Sequence, residues 1–396
     1  MESVVPDIVT NDAKIFLTGA LVNGFSNGVI NAVLQLYLVT LGFNGQQLGA
    51  IFMVNALSCS LLSIPGGILA DRYGKKKMMV VSFALMVLGM GLILTSSTLV
   101  YFQLAFLFIG AGNACFSMFA PLYSSFFDKA DLEKAFGLYG LLNIMSMSLG
   151  SLIGYVPAML MDRYLVSEVS SYRWVIVGAG ILFMVQYVFY LTAMRGYKET
   201  LSEGLRFKLK SWRPVIKFSA LSLFGNIAGG LLFSLFPFYV NQKYGVSSAG
   251  LGLLFFVSNL SMAVSKGAAA AVAKRLGNMR STTIGLSLSA VFFLLMPLSP
   301  SFGLLSFFYI LRMGTRFMSD PIITSAFLRS VSDDEQSTAN SIRMISMNAG
   351  GVVSPLLGGN LMDKLSLDSP AFIGAGLTFV LAALYPLLLR KELNES

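Results

Sequence analysis

Apolar residues run almost unbroken for about twenty positions at a time, and polar residues collect in short intervals between the runs. A bilayer's hydrocarbon core needs about 20 apolar residues per helix. The runs cut the chain into twelve spans: 14–41, 46–70, 78–97, 99–127, 136–161, 173–194, 214–241, 247–273, 281–299, 303–328, 336–361 and 371–390. The ten-residue alternation of a membrane barrel is absent, so the pattern predicts an all-α membrane protein. Short linkers, such as FNGQQ after the first span and SPSFG after the ninth, make neighbouring spans antiparallel. The longest polar interval, RGYKETLSEGLRFKLKSWR at 195–213, separates a six-helix bundle over 1–194 from a second over 214–396. Within this linker RFKLKSWR alternates basic and apolar residues, which suits either the anionic inner leaflet or a solvated connection.

Composition agrees with the spans. Of 396 residues 55% are hydrophobic and only 12% charged, against about 25% charged in a soluble domain. The net charge of +9 raises the question of a nucleic-acid partner, and the placement of the charges answers it. With the N-terminus inside, the cytoplasmic ends carry Lys14, Arg72, Lys75 to Lys77, Lys129, Lys134, the linker, Lys274, Arg275, Arg280, Arg329, Arg390 and Lys391. The outer ends carry only Arg163, Arg173, Lys243 and Lys364. That asymmetry is the positive-inside rule, so both termini are expected in the cytoplasm and no nucleic acid is needed. Trp174 and Trp212 fall at span starts, where interfacial anchors belong. The start, MESVVPDIVTNDAK, is unlike a cleavable signal peptide, so the first run is expected to stay as a span. Histidine is absent, and Cys59 and Cys115 both lie in apolar runs. No disulfide framework, metal site, cofactor or nucleophile–base pair is predicted, which argues against an enzyme.

Shifted by about 200 residues, the chain partly matches itself. LYLVTLGF falls against FYVNQKYGV, LADRYGKKKMM against VAKRLGNMRST, AFLFIGAGNACFSMFAPLYSSF against SFFYILRMGTRFMSDPIITSAF, and AMLMD against NLMD. Two six-span halves of the same orientation are parallel repeats about an axis along the membrane normal.

One of the matched segments carries a family resemblance. GGILADRYGKKKMM at 66–79 resembles the signature loop of the major facilitator superfamily, Gly-x-Leu-Ala-Asp-Arg-x-Gly-Arg/Lys-Arg/Lys between helices two and three. Gly67, Leu69, Ala70, Asp71, Arg72, Gly74, Lys75 and Lys76 match it. With the spans and the repeat, the resemblance covers the whole chain. It implies two pseudo-symmetric bundles rocking around a central cavity. It also implies that Asp71 caps the start of helix eleven and that Lys75 pairs with an acid ending helix four, by position Asp128, so that these residues and Arg72 form a cytoplasmic gate. Independently, Gly67 would allow close helix approach, Gly74 a tight turn, and Asp71 suits a helix N-terminus. The plainer reading is a positive-inside stop with a turn glycine. In the second copy Lys274 replaces the aspartate and only Arg275, Gly277 and Arg280 persist, so a charge gate would be one-sided. The family's exporters often carry Gly-Pro-x-x-Gly-Gly on helix five. Here GSLIGYVPAM keeps Gly150 and Gly154 without those pairs, while SPLLGG lies on helix eleven. Close packing is the better reading of those two glycines.

Polar residues inside the spans are the remaining signal. Asn23, Asn27 and Asn31, with Gln35 beyond, share one face of span one, and Asn226 takes the repeat position of Asn23 in span seven. Such amides serve either as interhelical glue, worth about 0.6 kcal/mol each, or as a wet pathway. Arg312, Arg316 and Asp320 stand at i, i+4 and i+8 in span ten, with Lys266 in span eight and Arg343 in span eleven. Four cations meet one anion. Lys266 and Arg343 can snorkel to the inner interface; Arg312 and Arg316 lie too deep for that. An unpaired charge there costs at least a few kcal/mol, so water or an anionic solute is expected to compensate.

These observations predict a monomeric secondary transporter in the plasma membrane that moves a small organic solute, anionic or zwitterionic, amphipathic ones included. An ion gradient, most simply of protons with Asp320 as the titrating group, would drive it. Multidrug export and lipid or lysolipid flipping are the competing functions.

Overall fold

In the computed structural model, residues 11–95, 97–115, 123–124, 126–127, 131–194, 210–332, 335–390 and 392 are described, apart from the side chains of 71, 133 and 337. They form helices with no strand among them: α1 (Asn11–Thr40), α2 (Gly45–Tyr73), α3 (Lys75–Thr95), α4 (Leu99–Cys115), α5 (Leu132–Ser151), α6 (Val156–Tyr164) and α7 (Glu168–Ala193). After the linker follow α8 (Trp212–Phe233), α9 (Phe236–Tyr244), α10 (Ser248–Leu276), α11 (Asn278–Leu295), α12 (Phe302–Arg329), α13 (Gln336–Lys364) and α14 (Ser369–Leu388). Eight stretches of the described residues are long and apolar enough to cross a membrane. The helix α12 is not among them, since its arginines and aspartate dilute its apolar face.

Two expected spans are interrupted. Span five divides into α5, a 3-10 turn at Leu152–Tyr155, and α6. Span seven divides at Ser234 and Leu235 into α8 and α9. Pro157 and Pro237 sit in the first turn of the new helix each time. There the missing N–H would have had no intrahelical partner anyway.

The residues cluster into two compact units. One comprises 1–41, 57–205 and 248–256; the other comprises 42–56, 206–247 and 257–396. The same pairings recur inside each. In the first, α1 packs on α5 and α7, and α3 on α4 and α7. In the second, α8 packs on α13 and α14, and α11 on α12 and α14. This is the contact pattern that the sequence repeat requires. Small residues set the closest crossings: a Cβ on Gly24, Gly28 or Gly150 would strike the facing backbone across the α1–α5 contact, and one on Gly358 would strike Leu231 across α8–α13. Close packing therefore explains Gly150, as the sequence suggested. An aromatic core closes one end of each unit, with Phe16, Tyr123, Tyr187 and Tyr190 in the first and Phe218, Phe327 and Tyr385 in the second.

Candidate substrate site

The helix α12 carries Arg312 about 15 Å from its start, at 1.5 Å per residue, near its middle. The break between α8 and α9 brings Phe233 and Phe236 to the same level. Tyr309, one turn before Arg312, stacks flat on Phe236 with centroids 4.4 Å apart. The Arg312 guanidinium carbon lies 3.7 Å from the Phe233 centroid and 4.5 Å from that of Phe293, and the two rings are 4.9 Å apart. Those lengths form a compact triangle, so the cation is tucked into the notch of a tilted ring pair and not sandwiched. The ring faces offer it partial negative charge, which offsets only part of the desolvation. Arg312 is 5% exposed, its Nε has no hydrogen-bond partner, and no carboxylate among the described residues pairs with it.

One turn further, Arg316 is satisfied. Its Nη1 donates to Asp320 Oδ1 at 2.5 Å, and both side chains keep about a third or less of their surface exposed, at 27% and 35%. The spacing i, i+4 is the sequence's own. Arg343 does not join this pair. Its Nη2 donates to Thr324 Oγ1 at 3.4 Å, its guanidinium lies 5.1 Å over Phe327, and its Nε has no hydrogen-bond partner among the described residues. Lys266 lies 5.1 Å over Phe317, the ring that Arg316 also approaches at 5.9 Å. Asn226 faces Gly350 and Gly351 of α13. The second unit therefore carries Arg312, Arg316, Asp320, Arg343 and Lys266 with a single carboxylate among them, strung along α12 from Arg312 to Thr324 over about 18 Å. It adds an aromatic wall that the sequence reading missed, although Phe233, Phe293 and Tyr309 stand in the same apolar runs.

In the first unit Asn27 Nδ2 donates to Asn23 Oδ1 at 3.0 Å and to the Asn23 carbonyl at 2.9 Å, and Asn31 one turn on is exposed. The stripe is real, with its first two amides linked to each other. A 310 Å3 groove between α1, α6 and α7 is apolar, lined by Phe25, Val29, Leu160, Trp174 and Gly178, and holds none of these polar residues.

Of the expected gate, Gly74 has φ 102°, a conformation that favours glycine, and its repeat partner Gly277 has φ 79°. Arg72 lies 5.5 Å over Tyr73. Among the described residues a Cβ on Gly67 would meet nothing within 4 Å. Asp128 and the Asp71 side chain fall outside the described residues.

Two carboxylates that the sequence reading passed over bracket α13. Glu335, 1% exposed just before its start, accepts the backbone N–H of Lys210 at 2.6 Å and of Ser211 at 2.9 Å. The Ser211 N–H, then that of Lys210, holds its carboxyl below the ordinary value. Asp363, in the last turn, accepts from Gly45 and Gln46 at the start of α2. The sequence clue to Asp363 was a lone acid in NLMD, matched by AMLMD in the other half.

A model of the Major Facilitator Superfamily matches residues 16–318 and 218–396. An uncharacterized MFS-type transporter of Yersinia pestis (strain Pestoides F) is 28% identical over 163 residues, 41% of each chain, so the match spans about two-fifths of that relative. The quinolone resistance protein NorA of Staphylococcus aureus (strain MRSA252) is 24% identical with 92% of each chain covered. Among solved structures the nucleoside transporter NupG superposes with TM-score 0.75 at 13% identity, covering 96% of this chain and 100% of that one. A bacterial homologue of the human lysosomal transporter Spinster gives 0.72 at 14%, covering 99% and 98%.

Proposed function

The chain belongs to the major facilitator superfamily and is thus a multi-pass membrane transporter with no catalytic site, and from that premise we propose that it carries a small organic anion or zwitterion by alternating access. Twelve spans in two six-helix halves, 1–194 and 214–396, place both termini and the 195–213 linker in the cytoplasm. The solute's anionic group is held by Arg312, with Arg316 one turn on adding to the field, while Arg343 and Lys266 stand beside later turns of α12 and line the way to it. The single observation that carries the reading is Arg312: a mid-span cation, 5% exposed, without a carboxylate partner among the described residues. Desolvating such a charge costs several kcal/mol, which a bound anion would offset.

Asp320 supplies the coupling in this reading. A solute anion competing for Arg316 displaces the aspartate from its partner. Asp320 then takes a proton from the side to which it is open, and releases it when the solute leaves and Arg316 returns. The aromatic wall of Phe233, Phe236, Phe293 and Tyr309 suits a solute with an apolar body. The amide stripe of Asn23, Asn27 and Asn31 and Asn226 supply neutral hydrogen-bonding groups.

The name of the Staphylococcus relative supports a second reading, export of a quinolone-like drug. A thermal-shift screen of organic anions against drug-like cations, followed by flux in proteoliposomes, separates the two. Stabilisation by anions that disappears in Arg312→Gln supports the first reading. Stabilisation by cations alone overturns it.

A further inference from the structure

We infer that Asp363 is a releasable latch on the opening turn of α2, and that its release belongs to the step that opens the pathway to the outside. The inference rests on the orientation proposed above, which puts this end of α2 and α13 at the outer face.

The joint is built from both chemistry and spacing. An α-helix begins with backbone N–H groups that have no partner within the helix. In α2 the Gln47 N–H donates to Asn44 Oδ1 at 2.9 Å, and Gln47 Oε1 accepts the Asn44 N–H at 3.1 Å in return. Those two bonds are local. The remaining donors, on Gly45 at 3.2 Å and Gln46 at 2.7 Å, go to the two oxygens of the Asp363 carboxylate, more than 300 residues along the chain. Charge, helix dipole and paired hydrogen bonds all favour that contact.

Beneath the carboxylate, Gly45 and Gly49 of α2 face Pro355 and Gly359 of α13. A Cβ on Gly49 would strike the Pro355 carbonyl, and one on Gly359 would strike the Gly45 carbonyl. Gly45 and Gly49 are four residues apart, as are Pro355, Gly359 and Asp363. Each set therefore follows one helix face, with backbone against backbone and the acid at the end. This explains why residues 42–56 of α2 cluster with the unit that contains α13, while 57–73 cluster with the other unit. A helix shared in this way needs a fastening, and one that can be undone. Asp363 is exposed, so water can replace the amides as they leave.

The repeat-related joint is built differently. Ser248 Oγ at the start of α10 donates to the Gly154 carbonyl at 2.7 Å, and Ser151 Oγ to that of Gly252 at 3.0 Å. Both bonds are neutral, and neither caps a helix.

The test uses the full chain with Cys59→Ser and Cys115→Ser, and Asn31→Cys as the reporter. Two rates are measured without substrate: amide hydrogen exchange over 43–52, and labelling of the reporter by an impermeant maleimide added from outside. Asp363→Ala is expected to speed exchange at 45 and 46 and to raise labelling about tenfold, with Asp363→Asn in between. Gly49→Ala, which pushes α2 off Pro355, should raise labelling with Asp363 intact and serves if Asp363→Ala does not fold. Unchanged labelling in these variants overturns the latch, whether or not exchange rises. Because neither rate needs a solute or a flux, a failure here is distinct from a failure of the proposed substrate class.

Discussion

Two basic side chains in the second unit have opposite surroundings. Lys243, at the end of α9, has all three ammonium donors engaged: Asp368 Oδ1 at 2.5 Å, the Pro297 carbonyl at 2.6 Å and the Tyr239 hydroxyl at 3.3 Å. The Tyr239 hydroxyl also donates to Asp368 Oδ1, at 2.6 Å. One lysine thus ties α9, the loop before α12 and the start of α14 into a knot. Arg312 has aromatic rings and, among the described residues, no anion. A charge that is fully paired holds structure. A charge kept deep and unpaired lowers stability and persists only if something else uses it, since breaking or omitting a buried pair costs more than removing both partners.

The sharpest way to break this comparison is to neutralise each cation. Arg312→Met should reduce affinity for the transported anion by about 30-fold or more, the equivalent of about 2 kcal/mol for a desolvated charge pair. Thermal stability should hold or rise, because an unpaired buried cation is gone. Lys243→Met should do the reverse: stability falls by about 2 kcal/mol, less than a fully buried pair would lose because both partners retain some exposure, at 18% and 33%. Affinity stays the same. Isothermal binding and thermal unfolding of both variants decide the matter. If Arg312→Met unfolds the protein and leaves binding intact, its role is structural. Adding Asp368→Leu to Lys243→Met should recover part of the lost stability, as a double-mutant cycle would show.

How far this contrast could be read from the sequence depends on distance along the chain. The helices and the shared face of Arg312, Arg316 and Asp320 follow from local periodicity, and the Arg316–Asp320 pair followed from a four-residue spacing. The breaks at Leu152–Tyr155 and Ser234–Leu235 were not foreseen, because a proline in a first turn looks the same in sequence as one tolerated within a span. Phe233 and Phe293 could not be assigned to Arg312, since they come from two other helices 60 residues apart and stand among 32 phenylalanines. Glu335 was missed for the same reason, since a carboxylate on distant backbone amides leaves no side-chain pattern to read, and the repeat match at Asp363 marked the acid without naming its partner.

Between the unpaired Arg312 and the knotted Lys243 lies Arg316, paired with a carboxylate but partly exposed, and it sharpens the comparison with a smaller effect. If its pairing with Asp320 is the exchangeable one, Asp320→Asn should preserve solute–solute exchange across liposomes and lose accumulation driven by an imposed pH gradient. Retained accumulation would assign the coupling elsewhere.

Glu335 extends the comparison to a paired anion, with the smallest expected effect. Its two amide bonds hold the folded carboxyl below the value of about 4.3 that an unfolded chain shows. A depressed folded value means that the stabilisation is complete above the unfolded value and is lost as pH falls through the folded one. Glu335→Gln should therefore unfold at lower temperature than the parent near pH 7, and the gap should close below about pH 4. The amide keeps one oxygen to accept from Ser211 or Lys210, so the loss near neutrality is partial. A gap that persists unchanged to pH 3.5 would mean that Glu335 holds the start of α8 by shape and packing, and that its charge contributes nothing.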